Sequence, residues 1–304
     1  MDINKYGAKG KLGAAHLFSL AELDEGQIYE ILHLARKLKQ KQQVKEKLGV
    51  FDGKNVAIML KSSSSRIRIS FELAVNRLGG KTLYLSPNDT DFLNGLTYLD
   101  AANMLYRYGV NGIVVKNLTA EEVAQFKTFG KLPVIALKDG RGSPCQILAS
   151  LYTVWETARR LSGVKLLVAG DCRRVNAEEL NAYAKCGVEV TLCCPEECSP
   201  DEQLFEKLSQ FGDVKIERDL KAAIKNADIV TSVRGEEAPA VLAPYKITAE
   251  MLNASPAAKY LHVLPVKHGE EVEDEVLYGD KSVAFERAGN LIFAEQSLMM
   301  LLFR

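Results

Sequence analysis

Segment 61–72 reads Lys61-Ser62-Ser63-Ser64-Ser65-Arg66-Ile67-Arg68-Ile69-Ser70-Phe71-Glu72, a run of short hydroxyls followed by two guanidinium groups. A serine run that leaves a buried strand and enters a helix presents the helix's first amides, and those amides favour an anion. The hydroxyls of Ser64 and Ser65 would add donors, and Arg66 and Arg68 would add bidentate contacts to a phosphate group. The plainer reading of four serines is a flexible linker. It fits poorly, because Val56–Leu60 ahead and the stripe Ile67, Phe71, Ala74, Val75 and Leu78 behind are both strongly apolar. An anion-binding turn is the expectation for this segment.

Other residues with chemistry to offer are more ambiguous. Of the six cysteines, Cys145, Cys172, Cys186, Cys193, Cys194 and Cys198, five lie in the second half. The cluster Cys193-Cys194-Pro195-Glu196-Glu197-Cys198 has no Cys-x-x-Cys pair and no histidine near it in sequence. Free, buried thiols at a strand end are therefore expected in preference to zinc. His16 and His33 read as incidental, and Trp155 lies on an apolar helical face and reads as core. No Gly-x-Gly-x-x-Gly follows any predicted strand, which sets aside a dinucleotide enzyme.

The elements that must position these groups alternate. A helix is predicted near residues 22–40, where Ile28, Ile31, Leu32, Ala35 and Leu38 recur at helical spacing and Ser19 and Glu22 have capping-box spacing. Strands follow at Val56–Leu60, Thr82–Leu85, Gly112–Val115 and Val134–Leu137, separated by helical patterns at 67–78, 97–107 and 119–129. Gly79-Gly80 stops the first of those helices. A long helix is predicted over 146–161, ending at Ser162-Gly163. A second series then runs through strands Leu166–Ala169, Val188–Cys193, Val214–Ile216 and Ile229–Thr231, with helices near 177–186, 201–211 and 219–226. Val233–Pro256 reads as a long loop, Leu261–Leu264 as the last strand, and 294–304 as an apolar helix. Strand–helix alternation of this kind predicts parallel sheets with helices on both faces, whose ligands gather at the carboxyl ends of strands.

Bulk properties agree with a two-domain α/β protein. At 304 residues and 47% hydrophobic, the chain exceeds what one compact core needs. Its 39 basic and 39 acidic residues form no long basic stripe, so neither nucleic acid nor a membrane surface is expected as partner. Apolar runs such as Val164–Ala169 and Leu298–Phe303 are too short to span a bilayer, and the start Met1-Asp2-Ile3-Asn4-Lys5 does not resemble a signal peptide. A cytoplasmic location is the expectation.

Ser64-Ser65-Arg66-Ile67-Arg68 followed by Ser70-Phe71-Glu72 resembles Ser-Thr-Arg-Thr-Arg-x-Ser-Phe-Glu, the phosphate-cradling signature of the aspartate/ornithine carbamoyltransferase family. Further landmarks follow in order. The segment Asp100–Arg107 is similar to the one whose arginine contacts carbamoyl phosphate, and Ser143-Pro144-Cys145-Gln146 stands where the family has His-Pro-x-Gln. Ala169-Gly170-Asp171 resembles the Gly-Asp opening the second domain's first loop. His262-Val263-Leu264-Pro265 with Gly269-Glu270-Glu271-Val272 resembles the ornithine-type His-Cys-Leu-Pro and Gly-Glu-Glu-Val.

The resemblance covers about residues 15–300 and implies a fold, a set of roles and an assembly. The fold would be two doubly wound parallel-sheet domains joined by a helix, with the C-terminal helix returning to the first. Residues 1–145 with 290–304 would bind carbamoyl phosphate, and 146–289 the second substrate. Ser64, Ser65, Ile67, Arg66, Arg68 and Arg107 would face the phosphate, Ser143 would stand in for the carbonyl-polarising histidine, and Gln146 with the Leu264–Pro265 backbone would orient the carbamoyl amide. His262 would be hydrogen-bonded support rather than a base, and His268 would lie in a loop, Val266–Glu275, that closes over the second substrate. No metal or organic cofactor is implied, and the assembly would be a homotrimer.

Departures from the pattern matter as much. Ile67 replaces a phosphate-binding threonine, and Ser143 lacks a histidine's charge and reach; removing one such donor costs about 10²–10³ in rate. Gly95-Leu96-Thr97 replaces the segment that bridges subunits. Arg173-Arg174-Val175 replaces Asn-Asn-Val, Ser232 stands near the aspartate that meets the incoming amine, Val263 replaces a cysteine, and Leu291 an arginine. The groove for a cationic amine has thus lost a carboxylate and a thiol and gained Arg173, Arg174 and Arg234, unless these arginines simply face solvent. Beside ordinary ornithine activity, two functions stay open on these residues. One is an altered transferase moving a carbamoyl group to a small, carboxylate-bearing amine. The other is a non-catalytic relative that keeps a site for carbamoyl phosphate or another phosphate-type anion.

Overall fold

Alternating strands and helices build two parallel sheets in a computed structural model that describes residues 12–13, 15–62, 64–86, 95–138, 142–210, 212–233 and 240–303. The chain divides into two compact units, one holding Ile3–Leu148 with Asn290–Arg304 and the other holding Ala149–Gly289. Among the described residues no helix is long and apolar enough to cross a membrane.

In the first unit, helix α1 spans Glu25–Gln43 and buries Ile28, Ile31, Leu32, Ala35 and Leu38, the predicted stripe. Its cap is not the predicted one. Asp24 Oδ1 accepts from the Gln27 amide at 2.8 Å and Gln27 Oε1 from the Asp24 amide at 2.9 Å, a full capping box. Ser19 and Glu22 instead close a short 3-10 turn, Leu20–Glu22, with Ser19 Oγ accepting from the Ala21 amide. Two cap signals lie one turn apart, and the nearer one belongs to the longer helix.

Strands β1 (Asn55–Leu60), β2 (Lys81–Leu85), β3 (Gly112–Lys116) and β4 (Val134–Leu137) form a parallel sheet in the order β2-β1-β3-β4. Inner strands β1 and β3 are apolar and buried nearly throughout, whereas edge strand β2 is open to solvent at alternate positions. Helices α2 (Ser65–Arg77), α3 (Tyr98–Arg107) and α4 (Ala120–Phe129) connect them. Leu105, Ile113, Val115 and Phe126 are buried in one core cluster of this unit. The chain's last helix also belongs here beyond Asn290: Ser70 Oγ donates to Glu295 Oε1 at 2.8 Å, Gln296 Nε2 to the Ala74 carbonyl at 3.2 Å, and Lys54 Nζ to the Phe303 carbonyl at 3.1 Å. Gly112 is needed for that return, since a Cβ there would lie 2.4 Å from the Phe303 ring.

Helix α5 spans Pro144–Ala158 and contains the division between units. It stops before the predicted 161 because Arg159 takes a left-handed φ of 60°, ending the helix a turn ahead of Ser162-Gly163. Tyr152 and Trp155 stack within its buried face.

In the second unit β5 (Lys165–Gly170), β6 (Glu189–Cys193), β7 (Val214–Glu217), β8 (Ile229–Val233) and β9 (Lys259–Tyr260) pair in the order β7-β6-β5-β8-β9, all parallel. Helices α6 (Ala177–Lys185), α7 (Glu202–Leu208) and α8 (Leu220–Ile224) alternate with them. Three expectations need correction. The stretch 233–256 is not all loop: a 3-10 helix covers Ala240–Tyr245 and a five-residue helix, α9 (Ala249–Asn253), is capped by Thr248. Both are too short for periodicity to show. The last strand is Lys259–Tyr260 rather than Leu261–Leu264, because the chain turns irregular before Pro265, which has no amide to give a ladder; the apolar run there records burial, not pairing. After α10 (Asp274–Leu277), the C-terminal helix α11 spans Ala284–Leu302 and so begins well before 294. Its polar first turns are held by packing and by Arg287 Nε donating to Ser150 Oγ at 3.1 Å.

Candidate functional site

β1 ends at Leu60 and α2 begins at Ser65, so the serine run lies at the carboxyl end of an inner strand, as expected. Ser64 takes the N-cap position with extended backbone (φ −149°, ψ 97°), yet its side chain makes no capping hydrogen bond. The leading amides of a 13-residue helix are thus left uncapped by Ser64. Ser65 and Arg66 are exposed, and Ile67 is half-buried. Ser63 lies outside the described residues.

The approach to this turn is anchored by lysines. Lys61 Nζ pairs with Glu122 Oε2 at 2.5 Å and stands over the Tyr98 ring. Burial pushes the Glu122 carboxyl up, but the Lys61 hydrogen bond and the Thr119 amide outweigh it and hold the group below its ordinary value. Burial, with the Glu122 charge, pushes the Tyr98 phenol up to about 12. Lys116, buried at the carboxyl end of β3, donates to Ser62 Oγ at 3.0 Å. In register it stands beside Leu60, the last residue of β1. Lys116 was not a sequence candidate. The signal was a lysine closing the otherwise apolar Gly112-Ile-Val-Val run, where only a polar task justifies a buried ammonium.

Two predicted phosphate residues are placed elsewhere. Arg107 is the last residue of α3, and the chain then enters β3 at its amino end, where Asn111 Oδ1 accepts from the Asn55 amide at the start of β1. The serine turn is at the opposite end of β1, about 15–20 Å of strand away, beyond an arginine's reach. Arg68 donates through Nε to Glu72 Oε1 at 2.8 Å and lies over the Tyr84 ring at 4.2 Å, so its guanidinium is engaged on the helix side. Ser143 is buried immediately before α5, and its carbonyl accepts from the Ile147 amide at 3.0 Å. Gln146 is half-buried in the first turn of the same helix.

In the second unit the corresponding strand ends are arranged differently. Gly170 (φ 114°) crosses the end of β8 so closely that a Cβ would lie 2.3 Å from the Val233 carbonyl. Asp171 follows, buried, with its amide donating to that carbonyl at 3.1 Å. Arg173 grips Asp171 through Nε–Oδ1 at 2.8 Å and Nη2–Oδ2 at 2.9 Å, and Arg174 Nε lies 3.6 Å from Oδ2. The Arg173 hydrogen bond chiefly holds the Asp171 carboxyl below its usual range. These arginines are neither simply solvated nor fully free: two guanidiniums, each about half exposed, share one buried carboxylate and leave a net positive turn. Arg234 lies outside the described residues.

Ser232, near the family's aspartate position, is buried with its hydroxyl turned inward. Its Oγ is 2.7 Å from Tyr260 Oη and 3.5 Å from His262 Nδ1, and His262 Nε2 is 3.5 Å from Glu271 Oε1. The Tyr260 and His262 rings stack. His262 is therefore embedded in a buried polar chain. Leu264–Pro265 is a cis peptide, half-buried at Leu264 and exposed at Pro265. His268 Nδ1 is 2.6 Å from Asp274 Oδ1, and its ring stacks on Tyr278. A groove of about 760 Å³ opens in this unit, but Lys165, Gly187, Glu189, Asp213 and Asn226 place it at the amino side of the strands, away from Asp171. Among the described residues no group of three or more histidine, cysteine or acidic side chains could hold a metal ion.

Comparison with known proteins gives these two strand-end regions a context. Residues 15–156 match the family model described as aspartate/ornithine carbamoyltransferase, carbamoyl-P binding domain, and residues 162–302 match the one described as the Asp/Orn binding domain. An ornithine carbamoyltransferase of Methanosarcina mazei is 34% identical over 301 residues, covering 95% of this chain and 99% of that protein. The solved ornithine carbamoyltransferase of Pyrococcus furiosus superposes with a TM-score of 0.85 at 30% identity, over 96% of this chain and 98% of that one. The catalytic subunit of M. jannaschii aspartate transcarbamoylase superposes with a TM-score of 0.86 at 22% identity, over 95% and 99%, a likeness of fold.

Proposed function

The chain belongs to the aspartate/ornithine carbamoyltransferase family, on its ornithine-type side, and from that premise we propose that it transfers the carbamoyl group of carbamoyl phosphate to the amine of a small, carboxylate-bearing substrate. The neutral amine attacks the carbonyl carbon, the new C–N bond forms as the C–O bond to phosphate breaks, and phosphate leaves with the electron pair. Ser64, Ser65, the leading amides of α2 and Arg66 take the phosphate, with Lys116 in the place first expected of Arg107. Ser143 offers a hydroxyl to the carbonyl, and Gln146 an amide to the carbamoyl group. Catalysis of this kind rests on positioning and on charge stabilisation of the leaving group.

The observation that carries the reading is the α2 start, whose cap residue leaves the leading amides open beside a buried lysine at the same strand ends. A second-substrate domain over 146–289 is supported by the net positive turn Asp171–Arg174 and by a neutral hydroxyl at position 232, which favour a carboxylate over a second cationic group. A homotrimer is supported by apolar side chains left exposed on the first unit, Ile69 and Leu73 on α2 and Leu83 on β2. The non-catalytic reading gains nothing from the relatives, which are named as transferases.

The test is isothermal calorimetry with carbamoyl phosphate and inorganic phosphate at low salt, followed by phosphate-release assays across small amines with and without a carboxylate. Micromolar or tighter carbamoyl phosphate binding and turnover biased to carboxylate-bearing amines are expected. No binding at millimolar ligand would end the transferase reading, and turnover indifferent to the carboxylate would end the substrate class.

A further inference from the structure

The ends of β1 and β3 are joined by two lysines that cross in opposite directions. In register, Leu60 stands opposite Lys116. Lys116, the last residue of β3, donates to Ser62 Oγ at 3.0 Å, just past the end of β1. Lys61, the first residue past β1, donates to Glu122 Oε2 at 2.5 Å, in the first turn of the helix that follows β3. Between these contacts the chain leaves β3 through Asn117 (φ 60°), whose amide donates to the Leu137 carbonyl at 2.9 Å and ties the exit to β4. Each strand end thus sends a lysine onto the chain leaving the other.

Glu122 does more than cap α4. Its Oε2 accepts from the Thr119 amide at 2.8 Å, and Thr119 Oγ1 accepts from the Glu122 amide at 3.3 Å, a complete capping box. The same Oε2 also accepts from Lys61. The pair differs from an ordinary surface contact. Its side chains are only 31% and 19% exposed, and the ammonium also stands 5.5 Å from the centre of the Tyr98 ring. Tyr98 opens α3 and packs on Phe126 of α4, with ring centres 5.7 Å apart. One ammonium therefore joins the exit of β1 to the starts of two helices.

We propose that Glu122 is a positioning residue for the phosphate-type site, acting through Lys61 to fix where the serine turn leaves β1, an assignment that rests on the reading that this turn and Lys116 take the phosphate group. Ser62 follows Lys61 directly and leads into the turn that carries Ser64 and Ser65. A Lys61 released from Glu122 lets Ser62 drift from Lys116 and the leading amides of α2 drift with it. Hydrogen bonds to one anion from several donors keep their strength only while all the donors stay in place. The sign of the effect separates positioning from charge. Glu122 is itself an anion, so on charge alone its removal strengthens anion binding. Were Lys61 a phosphate ligand held back by Glu122, freeing its ammonium would strengthen binding further. Positioning requires the opposite.

The experiment measures carbamoyl phosphate and inorganic phosphate binding to the full chain by calorimetry. Glu122→Gln keeps the capping box, because glutamine also reaches back to the N-cap amide, and removes only the charge that holds Lys61. Its affinity for both ligands should fall at least about five-fold, as donors lose their places. Its thermal midpoint should fall by no more than about 2–4 °C. Lys61→Arg, which keeps a cation for both the carboxylate and the ring, should bind within about two-fold of the unaltered protein, and Lys61→Met should be as weak as Glu122→Gln. Amide exchange followed by mass spectrometry should quicken at the start of α2 in Glu122→Gln and stay unchanged over β4. Equal or tighter binding in Glu122→Gln, with the unaltered protein binding carbamoyl phosphate, would overturn the positioning role and leave the phosphate reading standing. No binding by the unaltered protein would overturn that reading and the role with it. If Glu122→Gln fails to fold, by circular dichroism, the two Lys61 variants still decide, since equal affinity in Lys61→Arg and Lys61→Met would also overturn the role.

Discussion

Strand ends in the two units use polar side chains in opposite ways. After β1, Ser64 leaves the helix start uncapped, Ser65 and Arg66 are exposed, and the approach is fastened by Lys116 on Ser62 and Lys61 on Glu122. After β5 and β8, the polar groups are spent on one another: Arg173 and Arg174 on Asp171, Ser232 on Tyr260 and His262, His262 on Glu271. Both sheets are parallel, and both present their strand ends as a doubly wound sheet does. On the proposed function the first end offers its exposed donors to an anion, whereas the second has spent its polar groups on structure. Substitutions in the first should therefore change binding with little effect on folding, and substitutions in the second should change stability first.

The largest expected effect is at Arg66. Losing a charge-assisted contact is worth about 1.5–3 kcal/mol, so Arg66→Ala should weaken phosphate-type binding by about 10–100-fold in calorimetry. The thermal midpoint should move little, because Arg66 is exposed and contacts made at the surface contribute little to stability. Lys116→Met should weaken binding as well, but with a lower midpoint, since Lys116 is buried and holds Ser62. Equal affinity in Arg66→Ala and the unaltered protein would remove the contrast between the two regions, because the exposed donors would then serve no anion.

How much of this was legible follows from what each signal records. Buried strands announced themselves as apolar runs, since β1, β3 and β4 have to be hydrophobic on both faces. The serine–arginine turn was legible because hydroxyls and guanidiniums are otherwise out of place between such elements. Arg107 was misplaced because spacing along a chain does not say at which end of a sheet a helix terminus falls; only the α3–β3 connection does. Lys116 was overlooked because one charge ending an apolar run looks like a strand terminus. Residues 261–264 were read as strand because burial and ladder pairing leave the same apolar trace. That Ser232 points inward depends on Tyr260 and His262, thirty residues on in the chain and adjacent only after folding.

A middle-sized effect sharpens the comparison from the other side. Asp171 is buried and its carboxyl is held below the usual range chiefly by the Arg173 hydrogen bond. Its contribution to stability is therefore complete above the unfolded carboxylate value of about 3.9 and is lost as pH falls through the lower folded value. Arg173→Gln removes the bidentate contact and should cost about 1–3 kcal/mol at pH 7. With the folded value raised toward the unfolded one, the variant loses less on acidification, so the gap between the two proteins in denaturant unfolding should narrow as pH falls below about 3.9 and close only below the folded value. A gap that does not shrink at all as pH falls from 7 to well below about 3.9 would mean that the ion pair is not what Arg173 contributes.

The smallest effect is the most discriminating. The family resemblance sets Ser232 near an amine-binding carboxylate, but its hydroxyl lies 2.7 Å from Tyr260 Oη inside the unit. If that hydroxyl is structural, Ser232→Ala should cost about 0.5–1.5 kcal/mol of stability, the net worth of one buried hydrogen bond. Tyr260→Phe should cost about the same, and the double variant less than the sum, because each single change already breaks the shared contact. The ratio of turnover on amines with and without a carboxylate should stay within about two-fold in Ser232→Ala, since RT ln 2 is only about 0.4 kcal/mol and no ligand contact has been removed. A large shift in that ratio with unchanged stability would mean that Ser232 turns its hydroxyl to the substrate, and the second region would then serve a ligand as the first is proposed to do.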